Sequence, residues 1–382
     1  MTTQKLKLMT ILGTRPEIIR LSEVIKKCDL YFSHILVHTG QNWDYHLNQI
    51  FFEDLSLRQP DHFLNAVGGD LGETIGNIIA KAYQLLVEVA PDALLILGDT
   101  NSCLAAIAAK RLKIPVFHME AGNRCFDENL PEETNRRIVD HIADVNICYS
   151  EHARRYLNSE GTPKERTYVS GSPMAEVLAA NFSKIQHSRV LETLGLTPGQ
   201  YILLSAHREE NIDIEANFDS LMNAVNALAE QYCMPVIYST HPRSAKCIAA
   251  RGFQFHSNVR SLQPFGFSDY NHLQMHAACV VSDSGTLPEE SAFFASKGMP
   301  FPAVCIRTST ERPEALDKGN FVLAGIATAQ VLQAVDTAIA MQRNGDFGLP
   351  VADYTDENVS GKIVKLIQSY TGVVNKMVWR KA

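Results

Sequence analysis

The sequence predicts an α/β protein built from two Rossmann-like, doubly wound domains. Two observations carry that reading. Short apolar runs alternate with helix-compatible stretches over about 170 residues, the pattern of a parallel sheet wrapped by helices. After Gly171-Ser172-Pro173 the same rhythm starts again. A chain of 382 residues is also too long for one ordinary core and fits two. The expected domains are 1–170 and 171–356, with a C-terminal helix in 357–382 packing back on the first.

In the first half, Lys7 to Leu12 reads as a strand. Gly13-Thr14-Arg15-Pro16-Glu17 turns it into a helix through Lys27, with Pro16 at a helix start where its missing N–H costs nothing. This loop lacks the Gly-x-Gly-x-x-Gly of dinucleotide folds. It offers backbone N–H groups and Arg15, with Arg20 about one turn on, which suits an anionic ligand better than a nicotinamide cofactor. Arg20 by itself also fits a solvated helix face. His34 to His38 is a second strand, closed by Thr39-Gly40-Gln41 before a helix from Trp43 to Leu55. Leu71 to Val89 repeats its apolar residues at three and four and is an amphipathic helix.

The central unit follows. Ala93 to Leu97 ends in Gly98-Asp99-Thr100, a small-residue helix intervenes, and Pro115 to His118 ends in Met119-Glu120-Ala121-Gly122. Leu130-Pro131-Glu132-Glu133 then opens another helix. Two apolar runs joined by one helix make a right-handed strand, helix, strand unit. Ligands of open parallel sheets sit beyond the carboxyl ends of the strands, so Asp99 and Glu120 are expected in one crevice, with Glu132 arriving from the next helix. Carboxylates crowded in a partly dry cleft push some pKa values up, which yields a general acid and a general base near neutral pH. Asp99 and Glu132 also fit simple helix caps. Glu120, followed by Ala-Gly, does not.

Val145 to Tyr149, the helix Glu151 to Ser159 and the strand Thr167 to Val169 complete the first half. Helical stretches Ala175 to Ala180 and Ser188 to Leu194 lead into the second. There, strands Tyr201 to Ser205, Pro235 to Ser239, Cys279 to Ser282 and Ala303 to Ile306 alternate with helices Phe218 to Gln231, Tyr270 to Ala277 and Pro288 to Ala295. His207 and His241 each follow a strand's carboxyl end, a position that favours function over structure. Ser284-Gly285-Thr286, at a strand-to-helix turn, reads as a phosphate cradle, with Glu290 one turn on placed for a ribose diol. The same residues also fit an ordinary capping box. Arg312, ahead of Pro313, could make a bidentate contact with phosphate or carboxylate. A diphosphate cradle in one domain and three acids in the other suggest a nucleotide sugar held in an interdomain cleft.

Composition narrows the class. With 46% hydrophobic and 20% charged residues, a net charge of −7 and a pI near 6.0, the chain fits a soluble globular protein and not one whose main partner is nucleic acid or an acidic membrane. The eight cysteines show no Cys-x-x-Cys pair or zinc spacing and read as reduced residues of a cytoplasmic protein. No metal or cofactor is implied, and no apolar run reaches the ~20 residues of a membrane span.

Gly13-Thr14-Arg15-Pro16-Glu17, Gly98-Asp99-Thr100, Glu120-Ala121-Gly122, Pro131-Glu132-Glu133 with Asn135-Arg136, Ser205-Ala206-His207-Arg208-Glu209, Asp283-Ser284-Gly285 and Glu311-Arg312-Pro313-Glu314, in this order, resemble the non-hydrolysing UDP-N-acetylglucosamine 2-epimerase family. The resemblance spans nearly the whole chain. It implies a two-domain GT-B type fold, a UDP-sugar substrate, no cofactor and a homodimer. By motif position it implies Asp99, Glu120, Glu132 and His207 as the catalytic set. It likewise implies Arg15, Arg20, Ser284, Gly285, Thr286, Glu290 and Arg312 as substrate-binding residues, and Phe265 and Tyr270 beside the uracil. Asn123-Arg124-Cys125-Phe126-Asp127 and His38-Thr39-Gly40-Gln41-Asn42 are most like the UDP-N-acetyl-L-fucosamine synthase branch, which epimerises C2 of UDP-2-acetamido-2,6-dideoxy-L-talose. Arg20 departs from the usual Lys, Thr286 from a second Gly, and Asp44 from an amide at a position where some relatives bind an activating sugar nucleotide. The alternatives are epimerisation of UDP-N-acetylglucosamine to UDP-N-acetylmannosamine and a GT-B glycosyltransferase.

Overall fold

The computed structural model describes residues 4–40 and 50–381, apart from the side chains of 50, 209 and 210. The expected helix start at Trp43, and Asp44, lie outside the described residues. The chain forms two compact units: one runs through Ala179 and includes the segment from Ala352 on, the other is Ala180–Val351. The first unit thus continues past the Gly171 break, because the helix Met174–Gln186 begins on it. Glu176 on that helix accepts from Ser360 N and Oγ, and Ser172 N donates to Asp353 O. The C-terminal helix Val359–Met377 lies against the helix Arg15–Tyr31.

The strands of the first unit are β1 (Lys7–Leu12), β2 (Ser33–His38), β3 (His62–Phe63), β4 (Ala93–Leu97), β5 (Val116–Met119), β6 (Val145–Cys148) and β7 (Thr167–Val169). They form one parallel sheet in the order β3-β2-β1-β4-β5-β6-β7. The second unit holds β8 (Ile202–Ser205), β9 (Val236–Ser239), β10 (Val259–Leu262), β11 (Cys279–Ser282), β12 (Ala303–Cys305) and β13 (Val322–Leu323). Their order is β10-β9-β8-β11-β12-β13, again all parallel. In each sheet the winding reverses once, between β1 and β4 and between β8 and β11. The loops leaving those strand pairs diverge to opposite faces and open a crevice, the ligand position of doubly wound sheets.

Every residue of β4, Ala-Leu-Leu-Ile-Leu, is buried, because helices cover both sheet faces. Met9, Ile11, Leu94 and Ile96 pack against Ile78, Ala82 and Leu86 of the helix Leu71–Val89 and against Ala105, Ala106 and Ala109 of the helix Ala105–Arg111, whose small side chains let it approach closely. In the second unit, Ile202, Leu204, Val236, Val281 and Val304 pack against Phe218, Met222 and Val225 of the helix Glu215–Tyr232 and against Val331 and Val335 of the helix Thr328–Asn344.

The sequence reading lacked β3, β10 and β13 and the helices Pro242–Arg251 and Thr328–Asn344. β3 and β13 are two residues long. β10, Val-Arg-Ser-Leu, is an edge strand with no buried residue, so no apolar run marks it. Among the described residues no helix is long and apolar enough to cross a membrane, and no group of three or more His, Cys, Asp or Glu could hold a metal ion. All eight cysteines are free.

Candidate active site

In the first unit the site grows from the loops after β1, β4 and β5. Leu97 and Met119 are register partners, so Gly98 and Glu120 leave adjacent strands side by side. A Cβ on Gly98 would meet Glu120 Oε2 at 3.1 Å. Glu120 is buried and holds a left-handed backbone with φ +64, which an L side chain adopts only under constraint from its surroundings. Its Oε2 accepts from Arg20 Nη1 at 2.6 Å and its Oε1 from Asn123 Nδ2 at 3.1 Å.

Asp99, half-buried, takes a two-pronged contact from Arg136, Nε at 3.1 Å and Nη2 at 2.5 Å on Oδ2. Arg136 belongs to the helix Pro131–Ile142, four residues after Glu132, and the two share a helix face. Asp99 and Glu120 thus follow the ends of neighbouring strands, with Glu132 on the helix that carries Arg136, and they do not form a crowd of repelling carboxylates. Asp99 and Glu120 each face a guanidinium, an arrangement that the run of acids in the sequence did not reveal.

The β1 loop also differs from the reading of its sequence. Gly13 N and Thr14 N both donate to Glu17 Oε2, at 3.0 and 2.8 Å, and Ser102 Oγ donates to Glu17 Oε1. Those two N–H groups are spent on a carboxylate of the chain's own helix and are not offered to an anion. Burial raises the Glu17 pKa against the lowering effect of these hydrogen bonds. Arg15 is half-buried with its guanidinium 5.6 Å from the Phe51 ring centroid, and Arg20 is occupied by Glu120.

Beneath the loops lies a buried polar support that the sequence reading missed. His118 Nε2 is 2.9 Å from Gly98 O, and its Nδ1 is 3.0 Å from Asp140 Oδ1. Asp140 accepts from Gly122 N at 3.2 Å and from Arg124 Nη1 at 2.7 Å, and Arg124 pairs with Glu160. Burial acts to raise the Asp140 pKa, but His118 and Arg124 outweigh it and the pKa is lowered. The alternation of His118 and Glu120 along one strand end was the only signal for this layer.

In the second unit the site lies at the β8 and β11 loops. Asp283, fully buried, accepts on Oδ2 from His207 N, Arg208 N and Asn211 Nδ2, while its Oδ1 lies 3.1 Å from His207 Nδ1. The His207 and His241 rings are 5.7 Å apart between centroids. In the cradle, Ser284 Oγ and Thr286 Oγ1 are 2.9 Å apart ahead of the helix Leu287–Ser296. A Cβ on Gly285 would lie 2.9 Å from Glu311 Oε1. Glu311 in turn accepts from Arg307 at 2.6 Å.

Glu290 is buried and accepts from Gln274 Nε2 at 2.7 Å. Burial pushes the Tyr270 hydroxyl up to about 12, with the Glu290 charge adding to it. Phe265 is half-buried in the turn before the helix Phe267–His276 that carries Tyr270. Arg312 is buried, and its Nε and Nη2 both reach Glu289 Oε1, at 2.8 and 2.7 Å. Arg312 is thus held by an internal ion pair to Glu289, the residue beside Glu290.

Residues 26–368 match the family described as UDP-N-acetylglucosamine 2-epimerase. The chain belongs to that family. It is accordingly an epimerase, an isomerase by reaction class. Its fold superposes on the UDP-N-acetylglucosamine 2-epimerase structure from Rickettsia bellii with a TM-score of 0.90 and 46% identity, covering 99% of this chain and 100% of that one. It superposes on the Methanocaldococcus jannaschii UDP-GlcNAc 2-epimerase in complex with UDP-GlcNAc and UDP with a TM-score of 0.87 and 30% identity, over 95% and 99% of the two chains. A Pseudomonas aeruginosa UDP-2,3-diacetamido-2,3-dideoxy-D-glucuronate 2-epimerase is 31% identical over 366 residues, 94% of this chain and all of that one.

Proposed function

We propose that this epimerase inverts C2 of a UDP-linked 2-acetamido sugar by eliminating UDP and adding it back, and that the sugar is UDP-2-acetamido-2,6-dideoxy-L-talose, giving UDP-N-acetyl-L-fucosamine for surface polysaccharide. The observation that carries the reaction is Glu120, a buried carboxylate at a strand end that accepts hydrogen bonds on both oxygens, with Asp99 beside it. The C2 proton has no adjacent carbonyl, so its removal needs a leaving group on C1. The proton passes to a carboxylate, the C2–H electron pair becomes the C1=C2 bond, and the C1–O bond breaks with its pair leaving on UDP. Protonation of the other face of the resulting 2-acetamidoglycal and return of the UDP oxygen to C1 complete the inversion.

In this reading Asp99, Glu120, Glu132 and His207 handle protons. Ser284, Gly285 and Thr286 hold the diphosphate, Glu290 the ribose, and Phe265 and Tyr270 the base. Arg15 and Arg20 serve the first unit's side of the substrate, Arg20 through Glu120. Arg312, paired with Glu289, serves the nucleotide side of the substrate. The homodimeric state rests on family resemblance and the cytoplasmic setting on the eight free cysteines.

The choice of substrate is supported by the resemblance of the runs Asn123-Arg124-Cys125-Phe126-Asp127 and His38-Thr39-Gly40-Gln41-Asn42 to that branch. A second reading, UDP-N-acetylglucosamine, is favoured by the name of the Rickettsia bellii protein. The Pseudomonas aeruginosa relative is named for a third sugar, so similarity at this level is compatible with different substrates. Purified protein incubated in deuterated water with each UDP-sugar alone, followed by NMR, tests the proposal. Deuterium at C2 of both epimers of the L-sugar is the expected result. Faster turnover of UDP-N-acetylglucosamine would reassign the substrate, and no conversion without an added acceptor would favour a glycosyltransferase.

A further inference from the structure

Asn123 lies in neither the expected catalytic set nor the expected binding set, yet its side chain touches the acid on which the reaction centres. It is 4% exposed, and its Nδ2 is 3.1 Å from Glu120 Oε1. Three features keep it there. Gly122 N donates to Asp140, Asn123 O accepts from Arg124 Nη1 at 2.7 Å, and Arg124 is tied to Asp140 and Glu160. The backbone on both sides of Asn123 is therefore pinned to a buried network, and its amide is delivered to Glu120 by a frame that has little freedom to move.

We propose that Asn123 is a positioning residue for proton transfer at Glu120, acting as the half of a two-sided clamp that can follow the proton. Arg20, the other half, has only N–H groups and can only donate. An asparagine amide carries both a donor and an acceptor and exchanges them by rotating about χ2. While Glu120 is a carboxylate, Nδ2–H donates to Oε1, as observed. Once Glu120 has taken a proton on Oε1, the rotated amide accepts that O–H through Oδ1. The carboxyl plane is kept in both states, and the return of the proton needs no rearrangement of the backbone. The other charged or titratable groups on the elements around Glu120 are Asp99 with its partner Arg136, Glu132 on the Arg136 helix, Arg15 and Glu17 on the Arg20 helix, and the His118, Asp140 and Arg124 group beneath the loops. This role rests on the epimerase reading above in so far as Glu120 carries the proton.

The test compares wild type with Asn123→Leu, which removes both functions of the amide, and Asn123→Asp, which keeps its size and serves if the leucine variant fails to fold. Two readouts are used: the pH dependence of kcat with the preferred UDP-sugar, and the titration of the Glu120 carboxyl carbon by 13C NMR, assigned by its disappearance in Glu120→Gln. The expected result is a loss in kcat of about 10- to 100-fold with UDP affinity and KM unchanged. The Glu120 midpoint should rise by about one pH unit or more, most in Asn123→Asp, where a second carboxylate faces the first. An unmoved Glu120 midpoint in both variants overturns the clamp. If wild type converts no UDP-sugar while the midpoint still moves, the epimerase reading falls and the clamp stands.

Discussion

The imidazole of His207 stands on the carboxylate of Asp283, Nδ1 3.1 Å from Oδ1, while the other Asp283 oxygen collects the backbone N–H of His207 at 2.8 Å and of Arg208 at 2.9 Å. One buried acid thus fixes both the ring and the main chain beneath it. With Nδ1 engaged, proton exchange with a substrate falls to Nε2. Burial by itself would raise the Asp283 pKa, but the His207 charge and the hydrogen bonds outweigh it and hold the carboxyl well below its usual range. A folded pKa below the unfolded value means stability that is present above about pH 4 and lost as pH falls towards the folded value. Asp283→Asn should therefore be less stable than wild type by about 2 kcal/mol at pH 7, with the gap closing as pH drops below about 4. Urea melts at a series of pH values check the sign. A constant gap across that range would show that charge is not what Asp283 contributes.

Asp99→Asn, Glu120→Gln and Glu132→Gln each keep the size of the side chain and remove the ionisable group. Each should lose at least ~100-fold in turnover while still binding UDP, because the cradle lies in the other unit. Steady-state kinetics with UDP titration calorimetry separate the two effects. If one variant retains near-normal turnover, that acid is structural, a helix cap in the case of Asp99 or Glu132.

What the sequence disclosed and what it hid follow one rule. The apolar runs of the central strands, β4 above all, mark themselves because both faces are buried. The glycines and acids that end them were legible for the same reason: in a doubly wound sheet the strand end is the site. Pairing was not legible. That Arg136 answers Asp99, Arg20 answers Glu120 and Glu289 answers Arg312 depends on chain segments between 23 and 100 residues apart. No local pattern announces such partners. Glu17 shows the same limit at short range, since Gly-Thr-Arg-Pro-Glu reads equally as a loop that offers its N–H groups to an anion and as one that satisfies them itself.

That internal satisfaction gives Glu17 a pH signature opposite to that of Asp283. Burial, the largest influence, raises its pKa from the ordinary 4.5, so the folded state holds its proton more tightly than the unfolded chain. Its contribution is present below about 4.5 and is lost as pH rises through the folded value. In Glu17→Gln the amide oxygen can still accept from Gly13 N and Thr14 N while the NH₂ donates to Ser102 Oγ. The variant should gain on wild type as pH is raised from about 4 to 7. Melting temperatures measured in parallel test this, and a variant that loses ground over that range would mean that the hydrogen bonds to the charged form dominate burial.

Two glycines of the site should separate folding from catalysis. Gly122 has φ +80, and a Cβ there would lie 2.4 Å from Ala153 O and 2.9 Å from Leu157 Cγ, a backbone and a packed core side chain on the helix Glu151–Ser159 that cannot both retreat. Gly122→Ala therefore combines left-handed strain of about 1–2 kcal/mol with overpacking of about 1–3 kcal/mol. It should lower the melting temperature by many degrees or give insoluble protein. Gly98 has φ +72, but the added methyl meets only the tip of Glu120, Oε2 at 3.1 Å. A carboxylate tip can give by a few tenths of an ångström, so Gly98→Ala should fold and lose only about 1–2 kcal/mol from its backbone conformation. The displaced oxygen is the one that Arg20 holds at 2.6 Å, so the loss should fall on kcat, while UDP affinity stays as in wild type. Kinetics and thermal melts on the two variants side by side give the answer. Normal turnover in a folded Gly98→Ala protein would mean that the position of Glu120 Oε2 does not govern the reaction.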